Sequence, residues 1–332
     1  MGHSTMTRRK LRMVVPLLVT LALLFLVLRV VKPLELAETL SEVSPGWALL
    51  AALAAFSFIA ARAWRYRLLL GNGQPRRLRT ILAVTLSSWG ASLILPGPSG
   101  DAAFVMLART RLKTPVAVGV GAALLSRLLD VASLLLVVLI TAPLAGVILP
   151  RPLLGAGVAL ALLIAAGLTA LFWSRTRRWI VRWLERLALP ASILKRLHFA
   201  VEELGSGGRP ALLVAATLAA RVATGLQYFA LFAAIDQPLS LLQVWFALSI
   251  RTLLLAVPIQ GLVGLGTMQV WWAAGLTLLG WPADEAFAAS LAVHLLDLSV
   301  SLPQAALGWL ALSLRPPAQA KEQIAAVEAQ RR

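Results

Sequence analysis

Leu95-Pro96-Gly97-Pro98-Ser99-Gly100-Asp101 decides how this chain is read. Two prolines and two glycines interrupt an apolar run, and a carboxylate follows at a depth where hydrocarbon is expected. A second interruption lies downstream: Val257-Pro258-Ile259-Gln260-Gly261-Leu262-Val263-Gly264-Leu265-Gly266-Thr267-Met268-Gln269. Broken apolar segments in corresponding positions of two halves point to the binding site of a transporter. The rest of the chain has to supply the correspondence.

Composition places both breaks in a membrane. The 332 residues are 59% hydrophobic and 14% charged, against about 25% charged for a soluble domain. Mean hydropathy is +0.83. Several apolar runs reach the roughly 20 residues needed to cross a bilayer as helix. Alternating polarity, the mark of a transmembrane barrel, is missing. The formal charge of +17 would suggest nucleic acid in a soluble protein; here it fits the excess of basic residues in cytoplasmic loops, and no nucleic-acid partner is expected. There are no cysteines and three histidines, so thiol chemistry is excluded and no metal site or cofactor is expected.

Charge sorting gives the topology. Arg8, Arg9, Lys10 and Arg12 precede an apolar run over 13–31, read as an uncleaved first span leaving a cytoplasmic N-terminus over 1–12. Glu35, Glu38 and Glu42 then lie outside. Span 2 covers 47–61 and ends in Arg62, Arg65, Arg67, Arg76, Arg77 and Arg79, read as a cytoplasmic loop. Segment 81–107 contains the first break and leads to Arg109, Arg111 and Lys113, so both flanks call for the cytoplasm. The arm over 81–95 rises only about 22 Å at 1.5 Å per residue, short of about 30 Å of hydrocarbon. A re-entrant hairpin, entering and leaving on one side and enclosed by other helices, satisfies both facts. Span 3 starts near Val116 and ends before Pro143 or Pro150; span 4 covers 153–173. The basic segment 175–209 carries Trp179, Ile180, Trp183, Leu184 and Leu187 at helical spacing, as a cytoplasmic amphipathic helix would. Span 5 covers 211–235. Segment 241–280 holds the second break between non-basic flanks, a hairpin entering from outside. Span 6 covers 286–312 and leads to a cytoplasmic tail over 313–332. Of the 31 basic residues, this sorting makes 25 cytoplasmic and leaves only Arg29, Lys32 and Arg151 outside.

The fold expected is therefore an all-α integral membrane protein of six full spans and two re-entrant helical hairpins. Its two copies, 13–150 and 151–312, form an inverted repeat. Leu86-Ser87 and Leu248-Ser249 stand equally far before Pro96 and Pro258. Ser126-Arg127-Leu128-Leu129-Asp130 matches Val293-His294-Leu295-Leu296-Asp297. Ala60-Ala61-Arg62 resembles Ala219-Ala220-Arg221.

Arg127, Asp130, Arg221, Arg251, His294 and Asp297 lie within apolar segments, and Asp101 at the first break. Each such charge costs roughly 2.5–3.5 kcal/mol on insertion scales, so these residues face the interior, pair internally, or mark a substrate path. Arg127 and Asp130, one turn apart, can pair directly. Arg221 and Arg251 have no acid near them in sequence and suit an anionic ligand. His294 is either a polar bridge or a titrating group. The Gly-rich breaks, Pro96, Gly97 and Gly100 in the first, Pro258, Gly261, Gly264 and Gly266 in the second, allow close backbone approach and half-helix ends that favour anions. Gly264-Leu265-Gly266 equally suits a packing hinge.

The Pro-x-x-x-Gly-Asp turn at Pro96 to Asp101, the unit Ser126 to Asp130, and Pro258 followed by Gly264-Leu265-Gly266 resemble the flippase-like family that includes the transmembrane domain of lysylphosphatidylglycerol synthase. The resemblance runs from about Trp47 to Leu312. It departs at three positions: the family often has Glu at Asp101, Ser126 and Gln269. The resemblance implies a multi-pass protein of the bacterial inner membrane that binds and moves a lipid or lipid-linked anionic head group, either anionic lipid or polyprenyl phosphate. Its site would comprise Arg127, Arg221, Arg251, Asp101, Asp130, Gln260, Gln269, His294 and Asp297, and rocking of the two halves would expose the cavity alternately. A membrane-bound glycosyl or head-group transferase and a non-transporting scaffold are the alternatives.

Overall fold

The computed structural model describes residues 41–70, 77–95, 98–148, 150–172, 179, 182, 210–237, 239–255 and 261–314. The basic N-terminus, the first span over 13–31, nearly all of the segment 175–209, the tail from 315, and Pro96, Gly97, Pro258 and Gln260 lie outside them.

Nine α-helices form the described chain, with no strand among the described residues. They are α1 (Pro45–Leu69), α2 (Leu78–Ile94), α3 (Ser99–Arg111), α4 (Val116–Leu144), α5 (Arg151–Phe172), α6 (Pro210–Ala234), α7 (Leu241–Leu254), α8 (Thr267–Thr277) and α9 (Ala283–Ser313). Helices α1, α4, α6 and α9 are long and apolar enough to cross a membrane, and they coincide with the expected spans 2, 3, 5 and 6. Helix α5 stands where span 4 is expected. Large apolar side chains such as Leu53, Leu124, Leu163 and Leu307 are exposed on these helices, as lipid-facing surfaces require.

The two breaks each join a pair of short helices. Helices α2 and α3 have 17 and 13 residues, α7 and α8 have 14 and 11. At 1.5 Å per residue the longest is roughly 26 Å, so no arm crosses the hydrocarbon alone. Prolines open many elements: Pro45 is the first residue of α1, and Pro98, Pro115 and Pro282 immediately precede α3, α4 and α9. At such positions proline forfeits no intrahelical bond. Helix α7 begins with a capping box, in which the Ser240 hydroxyl accepts from the Gln243 amide and the Gln243 side chain accepts from the Ser240 amide. The turn of the first pair is closed by Ser99, whose hydroxyl donates to the carbonyls of Leu95 (2.9 Å) and Ala91 (3.1 Å). In the second break Gly264 and Gly266 have φ of +70° and +78°, and Val263 shares the left-handed region at +56°. That conformation is open to glycine and strained for a β-branched residue.

One correction concerns α1. The sequence ends span 2 near Ala61 and assigns Arg62 and Arg65 to a cytoplasmic loop, whereas the helix runs on to Leu69 and Arg65 is fully buried. Average polarity stops at the arginines; the helix continues because their charges find partners inside the bundle.

Helices α1 and α6 pair along their length at the centre. Around them, α2 packs on α3 and on α9, while α7 packs on α8 and on α4; α3 touches α4, and α8 touches α9. Exchanging α1 with α6, α2 with α7, α3 with α8 and α4 with α9 maps each of these contacts onto another. The largest of the outer seams, between α2 and α9, is made of small residues: a Cβ at Gly90 would lie 2.6 Å from Ala305 Cβ, and one at Gly308 would lie 2.5 Å from Leu86 Cβ. Such seams replace the missing hydrophobic drive between helices in lipid with close van der Waals contact.

Candidate functional site

Two polar clusters sit inside this frame. The first joins α1, α3, α4 and α6. Asp101, in the first turn of α3, accepts from Arg127 on α4, with Nε at 2.9 Å and Nη2 at 2.7 Å from Oδ2. Arg62 of α1 approaches the other oxygen at 3.9 Å. Its guanidinium lies 5.7 Å from the ring centre of Tyr66 and 5.8 Å from that of Trp89, within cation–π range. Deeper in, Asp130 accepts a two-point bond from Arg65, Nη1 to Oδ1 at 2.8 Å and Nη2 to Oδ2 at 2.9 Å. Arg65 Nη2 also donates to Ser126 Oγ at 2.8 Å. Arg221 of α6 reaches Asp130 Oδ1 at 3.4 Å and Ser133 Oγ at 3.0 Å.

The Arg127–Asp130 pairing that one-turn spacing allows is therefore not made. One helical turn separates them, but Asp101 offers Arg127 a carboxylate at the edge of a cavity, while Asp130 is taken by two arginines from other helices. Arg221, without an acid near it in sequence, has one in space.

The second cluster joins α6, α7, α8 and α9. Gln269 Nε2 is 2.8 Å from His294 Nδ1. Asp297 accepts from Gln227 Nε2 at 2.7 Å, Tyr228 hydroxyl at 2.8 Å and Ser301 hydroxyl at 3.0 Å. Arg251 lies over the rings of Tyr228 (5.2 Å) and Trp272 (5.6 Å), with Nη2 3.0 Å from Met268 Sδ. Among the described residues no carboxylate is in ion-pair contact with Arg251. Gly261 N–H donates to Thr267 Oγ1 at 2.9 Å and steadies the second break. A Cβ at Gly264 would lie 2.8 Å from Met268 Cγ.

The clusters run parallel. Asp101–Arg127 in one answers Gln269–His294 in the other. Asp130 held by Arg65 answers Asp297 held by Gln227. Tyr66 stacks on Phe104 with ring centres 3.8 Å apart, and Tyr228 meets Trp272 at 5.0 Å. In both, a Tyr on the central helix follows the residue that grips the carboxylate.

Arg62, Ser88, Trp89, Ser92, Gly100, Asp101 and Arg127 line a cavity of about 90 Å³. A phosphate-sized group fits it. Arg127 is 57% exposed, against 21% for Asp101. Gly100 lines the wall because a Cβ there would lie 2.7 Å from Ser92 Cβ. Of the expected site residues, Asp101 and Arg127 reach this cavity; Asp130 and Arg221 stand behind it; Gln269, His294, Asp297 and Arg251 form the second cluster. Sequence reading missed Arg62, Arg65, Gln227 and Tyr228. Arg62 and Arg65 share one helical face while Arg67 is exposed, and that i, i+3 spacing was the available signal. No group of three or more His, Asp or Glu side chains able to hold a metal occurs among the described residues.

Over residues 13–303 the chain matches the family model of the lysylphosphatidylglycerol synthase TM region. No curated protein and no solved structure matches it. The match takes in both breaks, both polar clusters and all four long helices except the end of α9. With its apolar helices and their buried charges, this is a multi-pass membrane protein, and it belongs to the family of the lysylphosphatidylglycerol synthase transmembrane region.

Proposed function

We propose that this protein binds a lipid or lipid-linked anionic head group and translocates it across the bacterial inner membrane, with its termini in the cytoplasm. The cavity between Arg62, Asp101 and Arg127 first receives the charged, phosphate-sized part of the head group. The carrying observation is the surplus of positive charge there. Four guanidiniums, of Arg62, Arg65, Arg127 and Arg221, share two carboxylates, of Asp101 and Asp130. Uncompensated charge in a low-dielectric interior is costly, and an arriving phosphate or carboxylate relieves it through the guanidinium fork. Arg127 has the most exposed side chain of the four and meets the ligand first. The acyl or prenyl chains remain in lipid beside the apolar helix faces.

The architecture proposed with this function has six full spans and two re-entrant hairpins in an inverted repeat. The parallel clusters and the exchangeable helix contacts support it. So does the touch between α2 and the turn at Leu262–Gly264, which brings the two broken segments into contact.

The test is lipid movement by purified protein in vesicles carrying labelled phosphatidylglycerol, phosphatidylethanolamine or polyprenyl phosphate. Wild type moves at least one anionic lipid, and Arg127→Ala and Arg62→Ala each slow it roughly tenfold, the loss of about 1.4 kcal/mol of anion contact. No movement of any lipid, or wild-type rates in both variants, overturns the reading.

A further inference from the structure

Asp130 and Asp297 hold the same place in the matched stretches of α4 and α9, yet the chemistry around them differs. The side chains bonded to the Asp130 carboxylate are guanidiniums, Arg65 at two points and Arg221 at a third. Guanidinium donates and never accepts. A proton placed on Asp130 would face these donors, so its surroundings favour the charged form.

Around Asp297 the donors are neutral, and two of the three are hydroxyls. Tyr228 donates to Oδ2; Ser301 and Gln227 donate to Oδ1. A hydroxyl accepts as readily as it donates. With a proton on Oδ1, the Asp297 O–H donates to Ser301 Oγ, and the Ser301 hydrogen turns to the carbonyl one helical turn back. Ser290 on the same helix makes that bond to the Ala286 carbonyl. No hydrogen bond is lost in either state, and Asp297 is only 3% exposed.

The charged groups near Asp297 are few. From α6 it meets Gln227 and Tyr228. From α7 comes Arg251, whose guanidinium lies against the Tyr228 ring. From α8 come Trp272 and Gln269, and on α9 His294 lies one turn earlier with Nδ1 engaged by Gln269. Among the described residues no cation is in ion-pair contact with Asp297.

We propose that Asp297 is a proton-binding site in the membrane interior, loaded and unloaded through the hydroxyls of Ser301 and Tyr228. Loading leaves Arg251 as a cation without a nearby counter-charge. Resting on the lipid reading above, this couples one proton to one anionic head group, because the second cluster accepts an anion only when Asp297 is neutral.

The test needs no lipid, so its result is separable from the vesicle experiment. Infrared difference spectra of the purified full chain are recorded in water and deuterated water as pH is stepped between about 5 and about 8, the range spanned by physiological proton switches. Expected is a carboxylic acid C=O band that comes and goes reversibly, shifts in deuterated water, is lost in Asp297→Asn and is retained in Asp130→Asn. Ser301→Ala and Tyr228→Phe should each displace it, and they carry the test if Asp297→Asn does not fold. No band in wild type, a band that survives Asp297→Asn, or one unmoved by both hydroxyl variants overturns the proposal.

Discussion

Arg65 and Asp130 meet across α1 and α4 as a two-point clamp with both N–O distances below 3 Å, and Arg65 has no exposed surface. Arg221 adds α6 to the same carboxylate. One acid thus ties three membrane helices together, two of them the central pair. Such a cluster contributes geometry more than net stability, because desolvation offsets most of its attraction. Removing Arg65 is another matter, since it leaves Asp130, about a fifth exposed, with Arg221 alone.

Arg65→Ala should lower unfolding free energy by up to about 3 kcal/mol, the low end for breaking a buried pair because Arg221 remains beside Asp130. Arg65→Lys should fall between, because an ammonium cannot reproduce the planar two-point bond. Denaturant unfolding followed by helical circular dichroism measures both. An alanine variant as stable as wild type would show that Arg221 alone suffices.

The α2–α9 seam predicts sensitivity to a single methyl group. Gly308→Ala and Gly90→Ala should each cost about 1–3 kcal/mol through overpacking, because the new Cβ would meet Leu86 or Ala305 at 2.5 and 2.6 Å. Gly46→Ala, in the first turn of α1 with nothing within 4 Å, should be neutral or slightly stabilising. Equal thermal stability of all three variants would refute the seam.

On the proposed function, Asp101 and an incoming anion would compete for Arg127 and Arg62. Asp101→Asn should therefore increase the anionic lipid retained through gentle purification by roughly two- to tenfold, up to 1.4 kcal/mol, while slowing lipid movement, since a tightly held ligand leaves slowly. Quantitative mass spectrometry of the retained lipid and the vesicle rate read the two effects separately. Reduced retention would place the anion elsewhere.

The parallel between Asp101–Arg127 and Gln269–His294 can be tested by converting one pair into the other. Gln269→Glu or His294→Arg alone introduces a buried charge without its intended partner and should destabilise. The double variant should recover about 1–3 kcal/mol relative to the sum of the single changes. Additive losses in a double-mutant cycle would mean that the two pairs share sequence register but not geometry.

Much of this fold was legible because lipid imposes strong rules. Apolar length located α1, α4, α6 and α9 to within a few residues, apart from the C-terminal end of α1. Proline and glycine located the breaks at Pro96–Asp101 and Pro258–Gln269. What sequence could not supply was pairing at a distance. Arg65 finds Asp130 across 65 positions and Arg221 finds it across 91, while the nearest basic residue in sequence, Arg127, turns to Asp101. Arg62 and Arg65 were hidden by their neighbours: set in a basic run, they carry the same compositional mark as a cytoplasmic loop, and only their shared helical face separates them from Arg67. Tyr228 and Gln227 were hidden for the opposite reason, since neutral polar residues in an apolar helix leave little trace in charge or hydropathy.

The seam between α2 and α9 has a mechanical consequence. Helix α2 lies in the first half of the chain and α9 in the second, and α7 rests on α4 in the same crossed manner. If the two halves swung as rigid bodies, α2 would be peeled from α9 and α7 from α4, the first at contacts with no slack to give. On the proposed transport reading the moving parts would instead be composite, each a pair of short helices clasped to a long helix from the other half. Severing the chain between the halves would consequently separate α2 from α9 and α7 from α4, so that only joint expression of the two pieces would restore both seams.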